Sequence, residues 1–593
     1  MLFSALAPVV ILLSGAGLLM LLGWALSPQD RGILALLAAG GAFVALLLLG
    51  GALPTHSTVS LWHPQPLFGS DLAYQVDGLA FLFASALALL GLAALIASLD
   101  RPGRVNGRLY AALLTLLAAG LSFVLSANWL TLCLSWAFLD LAFFLALLAA
   151  GRGARAARAA LRGLGTSYLA GLALLAAALL LSGGAGGQGY GGEIASAPLL
   201  ARPSLFLLFG LAALVRAGAY PLYFWVPIEV ETEPEAGALL HLLPIGAGLY
   251  LLIRLCSLAG MGSSLAAFGA LSFAVGAFLA WAEGKGRLSF VVLSQVGCVI
   301  LSAALAGPQE TAATLWPAIN LLLCLGLLFL SQRRGEATEV IQGSFVLSAA
   351  VRNALASGLR RLAPRIRSCA PGLDFAPLAS RFQAGKRLTS ALLAVLKGAS
   401  RAGLWPLVPP GVALASLFGL PLTMGFIGRR SLYRLLLAKG QWGLLVLSLL
   451  IEALFFAALL EIRFLSTPPS GWARLAGGAA LAAPIVVLGI RPSLWASWAL
   501  PPGGPTSIAL WLALLLPPVG GYLLHHWRRW ALGCIRWTAL SAALRLEWLY
   551  GLLWRATLRI GAALRGMAEL SEGRGYLGWI ALAVLVVFLL LAS

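Results

Sequence analysis

The sequence carries little charge. Only 10% of its 593 residues are charged, whereas 61% are hydrophobic and the mean hydropathy is +0.95. Water-soluble domains contain about 25% charged residues, and a soluble chain of this length would need several domains, each with a polar surface. The composition therefore argues against a soluble enzyme, a DNA-binding module and a disordered scaffold. It predicts an all-α protein that crosses a membrane many times, with lipid rather than nucleic acid as its surroundings.

Motifs for metals and nucleotides are also missing. No two cysteines have the C-x-x-C spacing that iron–sulfur and zinc sites use, and neither a Walker A motif nor a dinucleotide fingerprint is present. We therefore expect this chain to hold no cofactor and no metal. Most of the cysteines lie in apolar segments, where a small buried hydrophobic residue is the simplest interpretation. The six are Cys133, Cys256, Cys298, Cys324, Cys369 and Cys534.

Long apolar runs occupy most of the chain. A transmembrane helix needs about 20 mostly apolar residues, and this criterion predicts sixteen spans. We interpret the first as a retained helix rather than a signal peptide, because it lacks a basic n-region and a clear cleavage site. The predicted spans are 3–26, 32–53, 76–98, 109–126, 128–150, 161–183, 203–227, 237–258, 262–282, 288–306, 312–331, 405–438, 441–463, 474–490, 506–524 and 576–592.

The loops alternate in their content of basic residues. Loop 54–75 contains no Lys or Arg, whereas 101–108 contains three arginines and 151–163 contains four. Because cytoplasmic loops retain Lys and Arg during insertion, the basic loops are predicted to face the cytoplasm and both chain ends to lie outside. The formal net charge of +20 has the same explanation. A bacterial inner membrane, plasma or energy-transducing, is the expected location.

Two long polar segments do not read as spans. Segment 333–402 has twelve basic residues against three acidic ones, and within it 351–367 has an apolar face opposite its arginines. Residues 525–572 combine arginines with tryptophans, which is typical of a long amphipathic helix that lies laterally along the cytoplasmic interface. A solvated basic connector is the alternative for this second segment.

A few ionisable residues fall inside predicted spans, where a charge is costly and marks an ion pathway or a buried pair. They are Asp140, Arg216, His241, Arg429 and Glu452. Their positions make them candidates for an ion path.

Two of the charged spans also contain helix-breaking residues. One break follows Arg216 at 216–221, and the other lies at 419–429. Broken helices at corresponding places in two halves are typical of transporters with inverted repeats; a packed proline kink without a transport role is the alternative. The predicted organisation is spans 1–3 in 1–108, a first five-helix repeat in 109–258, a second in 259–463 with the insertion 333–402, spans 14–15 in 464–524, the lateral helix in 525–575 and a final span in 576–593.

At these breaks the sequence resembles the antiporter-like membrane subunits of respiratory complex I and of Mrp sodium/proton antiporters. The similarity is densest over 215–255, where Arg216 takes the place of a lysine of the family and Pro221 that of its helix-breaking proline. The other matching residues are Trp225, Pro227, Glu231 and His241, then Glu283, Lys285, Ser294, Gln295 and Gly297, and finally GLPLTMGFIGR at 419–429. Residues 547–550, the long basic helix and the last span resemble the distal sixteen-span subunit of complex I.

The chain departs from the family pattern at several positions. The resemblance implies a carboxylate at 137, which is Ala137 here, and a lysine in the eleventh span, where Leu325 or a close neighbour stands. Glu233 and Glu235 occupy positions where the family has proline. Because each residue turns a helix by about 100°, Asp140 faces nearly the same way as position 137. We therefore predict that Asp140 pairs with Arg216.

The resemblance implies a proton- or sodium-translocating subunit of a complex I-like NAD(P)H or ferredoxin:quinone oxidoreductase, or of an Mrp-like complex, with other membrane subunits as partners. Any redox centre would then belong to those partners. Arginine does not readily release its proton in a protein, so a weakly conducting or non-conducting paralogue that braces a larger complex is the alternative, and a stand-alone secondary transporter is a third. The implied ion-path residues are Asp140, Arg216, Glu231, His241, Lys285, Arg429 and Glu452.

Overall fold

A computed structural model describes most of the chain: residues 4–59, 71–100, 105–151, 153–182, 203–226, 232–259, 262–283, 286–306, 310–332, 405–461, 471–495, 508–534 and 537–571. These residues form two compact units, divided between Ala531 and Leu532. The helices in chain order are α1 (Ala7–Leu22), α2 (Pro28–Leu49), α3 (Gly78–Ser98), α4 (Gly107–Val124), α5 (Trp129–Ala150), α6 (Gly153–Ser182), α7 (Pro203–Ala217), α8 (Pro234–Ala259), α9 (Gly262–Ala282), α10 (Arg287–Ala306), α11 (Thr311–Leu330), α12 (Val408–Leu417), α13 (Met424–Ala438), α14 (Trp442–Leu460), α15 (Trp472–Ile490), α16 (Ile508–Cys534), α17 (Trp537–Leu544) and α18 (Glu547–Ser571).

The helical architecture agrees with the apolar runs of the sequence. In the described part of the chain, twelve helices are long and apolar enough to cross a membrane, and Ala7–Leu22, Leu207–Ala217 and Val408–Leu417 are shorter apolar helices. The multi-pass, helical fold is thus confirmed. The count of sixteen is not, because the last predicted span, 576–592, lies outside the described residues, as does the amphipathic stretch 351–367.

Helix α8 is the centre of the larger unit and is buried along its spanning window. It packs against α3, which runs antiparallel to it. At one end of the pair, Asp77 precedes α3 and its carboxylate contacts the guanidinium of Arg254 at 2.6 Å. At the other end, Glu235 in the first turn of α8 pairs with Arg474 of α15 at 3.0 Å. Ion pairs therefore fix both ends of this helix pair.

The second of these ends also holds the start of α15. Asp100, two residues beyond α3, accepts hydrogen bonds from the backbone N–H groups of Ala473 and Arg474 at 3.0 and 2.9 Å. A carboxylate at a helix N-terminus satisfies exposed donors and interacts favourably with the helix dipole. Asp100, Glu235 and Arg474 thus join three helices that are far apart in sequence.

The first predicted break is confirmed. Helix α7 ends at Ala217, ten residues before the predicted end of its span, and Gly218 takes the left-handed conformation with φ +67°, which glycine adopts without steric cost. Ser272 of α9 accepts a hydrogen bond from the backbone N–H of Tyr220 at 3.2 Å, and Trp225 donates to the carbonyl of Val215 at 2.6 Å. Side chains from outside the helix therefore satisfy backbone groups that the break releases.

The second predicted break is confirmed as well. Helix α12 ends at Leu417 and α13 begins at Met424, with Gly419 at φ +64° and Leu422 at φ +72° between them. The hydroxyl of Ser416 accepts from the backbone N–H of Gly425 at 3.0 Å. The single long span predicted over 405–438 is therefore two helices.

Two features of the fold were not predicted or were predicted wrongly. Short antiparallel strands β1 (Thr55–Thr58) and β2 (Ala73–Val76) pair within the segment interpreted as a plain loop. The lateral helix was predicted to begin at 525, but α16 continues to Cys534 because no helix-breaking residue follows its apolar part. Two further helices, α17 and α18, follow it, and Leu546 between them has φ +54°. One continuous helix over 525–572 is therefore wrong.

Removing one partner of the Glu235–Arg474 pair should destabilise the protein. Arg474→Ala leaves the carboxylate of Glu235, 7% exposed, without its counter-charge, and we expect a loss of about 3–5 kcal/mol. The exposed Arg491 at the other end of α15 provides the matched control, Arg491→Ala. The measurement is the apparent melting temperature in detergent, and equal shifts for the two variants would contradict this assignment. Replacing both partners, as Glu235→Leu with Arg474→Met, should recover most of the loss.

Candidate functional site

The first charged pair lies just before the first break. Arg216, in the last turn of α7, contacts Asp140 of α5 at 2.6 Å between a guanidinium nitrogen and carboxylate Oδ1, and each side chain is 3% exposed. The predicted pairing of Asp140 with Arg216 is thus confirmed, and Asp140 fills the role that Ala137 cannot. Whether the pair lies on an ion path remains a prediction.

Further contacts hold this pair. Ser167 of α6 donates a 2.6 Å hydrogen bond to Oδ1 of Asp140. The Arg216 guanidinium lies over the ring of Trp136 at 4.1 Å from its centroid and donates to the Trp136 carbonyl at 3.4 Å. The Trp136 indole in turn donates to the Ser167 carbonyl at 3.1 Å. Helices α5, α6 and α7 therefore meet at one closed polar network.

Helix α8 packs closely behind Arg216. A Cβ atom placed on Gly248 would lie 2.2 Å from the backbone nitrogen of Ala217, so only glycine permits this approach. The backbone of α7 at the break is therefore fixed against the central helix, and Arg216 is presented to Asp140 from a rigid position.

The second charged pair lies just after the second break. Arg429 of α13 contacts Glu452 of α14 at 2.9 Å, and the Glu452 side chain is 2% exposed. Arg429 also donates to the carbonyl of Leu417, the last residue of α12, and lies over the ring of Phe456 at 4.5 Å. One guanidinium thus links the two halves of the broken segment to α14.

His241 lies between the two pairs along the chain, on α8, and is buried. Its Nδ1 lies 2.9 Å from the carbonyl of Gly237, and its Nε2 lies 3.5 Å from the hydroxyl of Ser289 on α10. Its ring packs against Phe329 of α11 with 4.9 Å between centroids. His241 therefore bridges the central helix to α10 and α11.

The eleventh span presents an amide where the resemblance implies a lysine nearby. Leu325 is fully buried and apolar, but Asn320 on the same helix accepts a 2.6 Å hydrogen bond from Ser416 and one from Cys324. Ser416 is also the residue that holds Gly425. Asn320 thus connects α11 to the second break without carrying a charge.

Several predicted site residues are placed apart from these pairs. Glu235 forms the structural pair with Arg474 described above. Ser294 donates to the carbonyl of Phe273 at 3.1 Å, and Gly297 lets α9 and α10 approach closely, so both serve helix packing. Glu231 and Lys285 lie outside the described residues, and their predicted roles stay predictions.

Sequence reasoning missed some of the polar partners. It named Arg429 and Glu452 but did not pair them, and it did not single out Asn320, Ser416 or Ser167. A signal was available for Asn320, because an amide in the middle of an apolar span is itself costly and needs a partner. Hydroxyl groups give no such signal, since a serine can bond within its own helix.

The arrangement can store and move charge but has limited means to relay protons. Arginine holds its proton, so the groups that can titrate at these two pairs are the carboxylates of Asp140 and Glu452. Among the described residues, no group of three or more His, Cys, Asp or Glu side chains could hold a metal ion. Ion movement here would require a carboxylate to change partner or to take up a proton.

Comparison with known sequences places the chain among membrane subunits of this kind. It is 25% identical over 315 residues to a fused A/B subunit of a probable K⁺/H⁺ antiporter from Rhizobium meliloti, covering 49% of this chain and 31% of that protein. It is 30% identical over 172 residues to the chloroplastic NAD(P)H-quinone oxidoreductase subunit 5 of Oryza sativa, covering 28% and 23%. The chain therefore spans less than a third of the length of these relatives. No family model matches it.

Solved structures share the fold over most of the chain. A chain of the Mrp complex from Dietzia sp. has a TM-score of 0.73 at 20% identity, covering 98% of this chain and 62% of that one. A chain of the archaeal membrane-bound sulfane sulfur reductase has 0.68 at 17%, covering 98% and 99%. One from Thermus thermophilus complex I has 0.57 at 22%, covering 84% and 100%. The predicted resemblance to antiporter-like subunits is confirmed, and the narrower one to the distal subunit stays a prediction.

Asp140→Asn should leave Arg216 as an uncompensated buried cation. Because removing one partner of a buried pair costs about 3–5 kcal/mol, we expect a marked fall in the amount of folded chain recovered from membranes. Arg216→Met added to Asp140→Asn removes the stranded charge and should restore most of the yield. Size-exclusion chromatography of the detergent extract measures both, with the exposed Asp30→Asn as control. A yield for Asp140→Asn equal to that of the control would contradict the pairing.

Proposed function

We propose that this chain is an ion-translocating, antiporter-like membrane subunit of a multi-subunit complex of the Mrp or complex I kind. The observation that carries the proposal is the pair of helix breaks, each with a buried Arg–carboxylate contact beside it. Charges at this depth are costly and are retained where they serve ion movement. Interrupted helices at corresponding places in two halves are typical of ion sites in transporters.

In this proposal the two halves are five-helix repeats of opposite orientation, 109–258 and 259–463. The Asp140–Arg216 pair belongs to the first and the Arg429–Glu452 pair to the second. His241 lies where the halves meet, because its ring contacts helices α10 and α11 of the second half. A neutral histidine can accept or donate a proton near neutral pH, so it is a suitable link.

The transported ion is proposed to be a proton, exchanged for or accompanied by a monovalent cation. The similarity to part of a probable K⁺/H⁺ antiporter adds potassium to sodium as a candidate. The similarity to part of an NAD(P)H-quinone oxidoreductase favours a redox-driven complex instead. In that case the electron donor and the quinone would bind to partner subunits, and the basic loops would face the cytoplasm.

A second candidate function has specific support. Both positions that the resemblance implies to be lysine at the breaks are arginine, and the eleventh span offers only Leu325 and the uncharged Asn320 near the implied lysine. A chain with these substitutions could brace a complex without conducting. The two functions predict different ion fluxes in an assembled complex.

Ion flux in the reconstituted complex tests the proposal. The complex is purified from its native membrane, its subunits are identified, and vesicles containing it are given a proton gradient with Na⁺ or K⁺ inside. We expect cation-dependent proton flux, and an increase when the implied pair is restored by Ala137→Glu with Arg216→Lys, because a buried lysine can release its proton. No flux in wild type, with none gained by the double variant in an assembled complex, would favour the bracing function.

The C-terminal helices are proposed to contact neighbouring subunits or the membrane surface. Helix α18 exposes large apolar side chains, among them Trp548, Leu552, Ile560 and Met567, together with the exposed Arg559. This combination fits an interface between apolar and polar surroundings.

Deleting 537–571, joined by a flexible linker, should release this chain from its complex in mild detergent, because those apolar contacts are lost. Co-purification of the partner subunits measures this, and replacing Arg559 and Arg565 by lysine provides a control that keeps the charge. A complex of unchanged composition after the deletion would contradict the bracing contact.

A further inference from the structure

The two charged pairs differ in how well their carboxylates are satisfied. At the first pair, Oδ1 of Asp140 has contacts of 2.6 Å to both Arg216 and Ser167. At the second pair, neither oxygen of Glu452 has a hydrogen bond of good geometry among the described residues, although Oε2 lies 2.9 Å from Arg429. Glu452 is therefore held by charge alone, whereas Asp140 is held by charge and by an aligned hydroxyl.

A tyrosine with the same property lies beside Glu452. Tyr433 is completely buried, its hydroxyl is close to the Glu452 carboxylate, and that hydroxyl also lacks an aligned partner in the described part of the chain. Arg429 and Tyr433 are four residues apart on α13, so they share one face of the helix. Both side chains are thus directed at the same carboxylate, and neither saturates it.

The surroundings of Glu452 contain few other groups that could share its charge. Across the helices packed on it, the titratable groups facing Glu452 in the described residues are Arg429 and Tyr433 of α13 and Cys298 of α10. A carboxyl is the group among these that changes charge most readily, since arginine retains its proton and a buried phenol or thiol does not ionise easily.

We infer that Glu452, Tyr433 and Arg429 form the proton-binding site of the second half, with Glu452 as the carrier and Tyr433 as its positioning residue. A proton delivered through water binds a Glu452 oxygen and converts the carboxylate to a neutral carboxyl, while Arg429 keeps its own proton. The attraction to Arg429 falls, and the Tyr433 hydroxyl becomes the partner that holds the carboxyl in place. Release of the proton to water restores the Arg429 contact. This inference rests on the proposed function.

The position of Arg429 suits such an exchange. Its guanidinium already donates to the Leu417 carbonyl and lies over Phe456, so it has other contacts when Glu452 is neutral. A Cβ atom on Gly419 would lie 2.4 Å from a terminal nitrogen of Arg429, so the absence of a side chain there leaves room for the guanidinium. The second break thus provides an alternative place for the cation.

Infrared difference spectroscopy of the purified complex, between acidic and alkaline buffer, tests this site directly. We expect a C=O stretching band of a protonated carboxyl that disappears in Glu452→Gln. In Tyr433→Phe the band should move to higher frequency, because the carboxyl loses a hydrogen bond. Tyr110→Phe is the matched control: Tyr110 is also fully buried, but its hydroxyl bonds to Ser98, and the band should not move. Proton flux in Tyr433→Phe should fall roughly tenfold, equivalent to about 1.4 kcal/mol.

A band that survives in Glu452→Gln, or that does not move in Tyr433→Phe, would overturn the inference. Glu452→Asp gives a second test, because it retains a carboxyl but withdraws it from Tyr433 by one methylene, and its band should move in the same direction. The two proposals fail separately. Normal flux in Glu452→Gln refutes this site and leaves the proposed function standing, whereas an assembled wild-type complex with the expected bands but no flux refutes the proposed function.

Discussion

The structure depends on the cost of placing a charge inside an apolar helical bundle. Arg216 and Arg429 are held far from bulk water, and each would be untenable without the carboxylate that meets it. Each guanidinium also contacts an aromatic ring, Trp136 in one case and Phe456 in the other. The helix breaks beside these pairs are satisfied by serines of neighbouring segments, so backbone and side-chain requirements are met at the same two places.

The two sites are not equivalent. The first is closed by Ser167 and Trp136, and the close approach of Gly248 fixes the backbone behind Arg216. The second leaves Glu452 and Tyr433 without aligned hydrogen bonds among the described residues. A well-satisfied pair resists change and a poorly satisfied one changes partner at lower cost. The first half therefore acts as an anchor, and the second holds the more changeable charge.

Sequence reasoning predicted the helical spans and both breaks, because lipid requires long apolar runs and glycine and proline mark interruptions. It also placed Asp140 against Arg216, since helix periodicity and the lack of another acid in that span left one partner. It could not pair Arg429 with Glu452 or Asn320 with Ser416, because the contacts depend on how separate helices rotate and slide against each other. The C-terminal helix boundary was wrong because charge alone does not end a helix, and α16 continues through its basic residues.

The central claim is that the Asp140–Arg216 and Arg429–Glu452 pairs lie in series on one ion path. The most direct measurement is a double-mutant cycle on proton flux in the reconstituted complex, with Asp140→Asn combined with Arg216→Met, Glu452→Gln, and all three changes together, each normalised to assembled protein. For a path in series, blocking either site stops the flux, so the combination should be no worse than the more damaging single site. Independent effects that multiply, or flux that persists when either site is removed, would contradict the account.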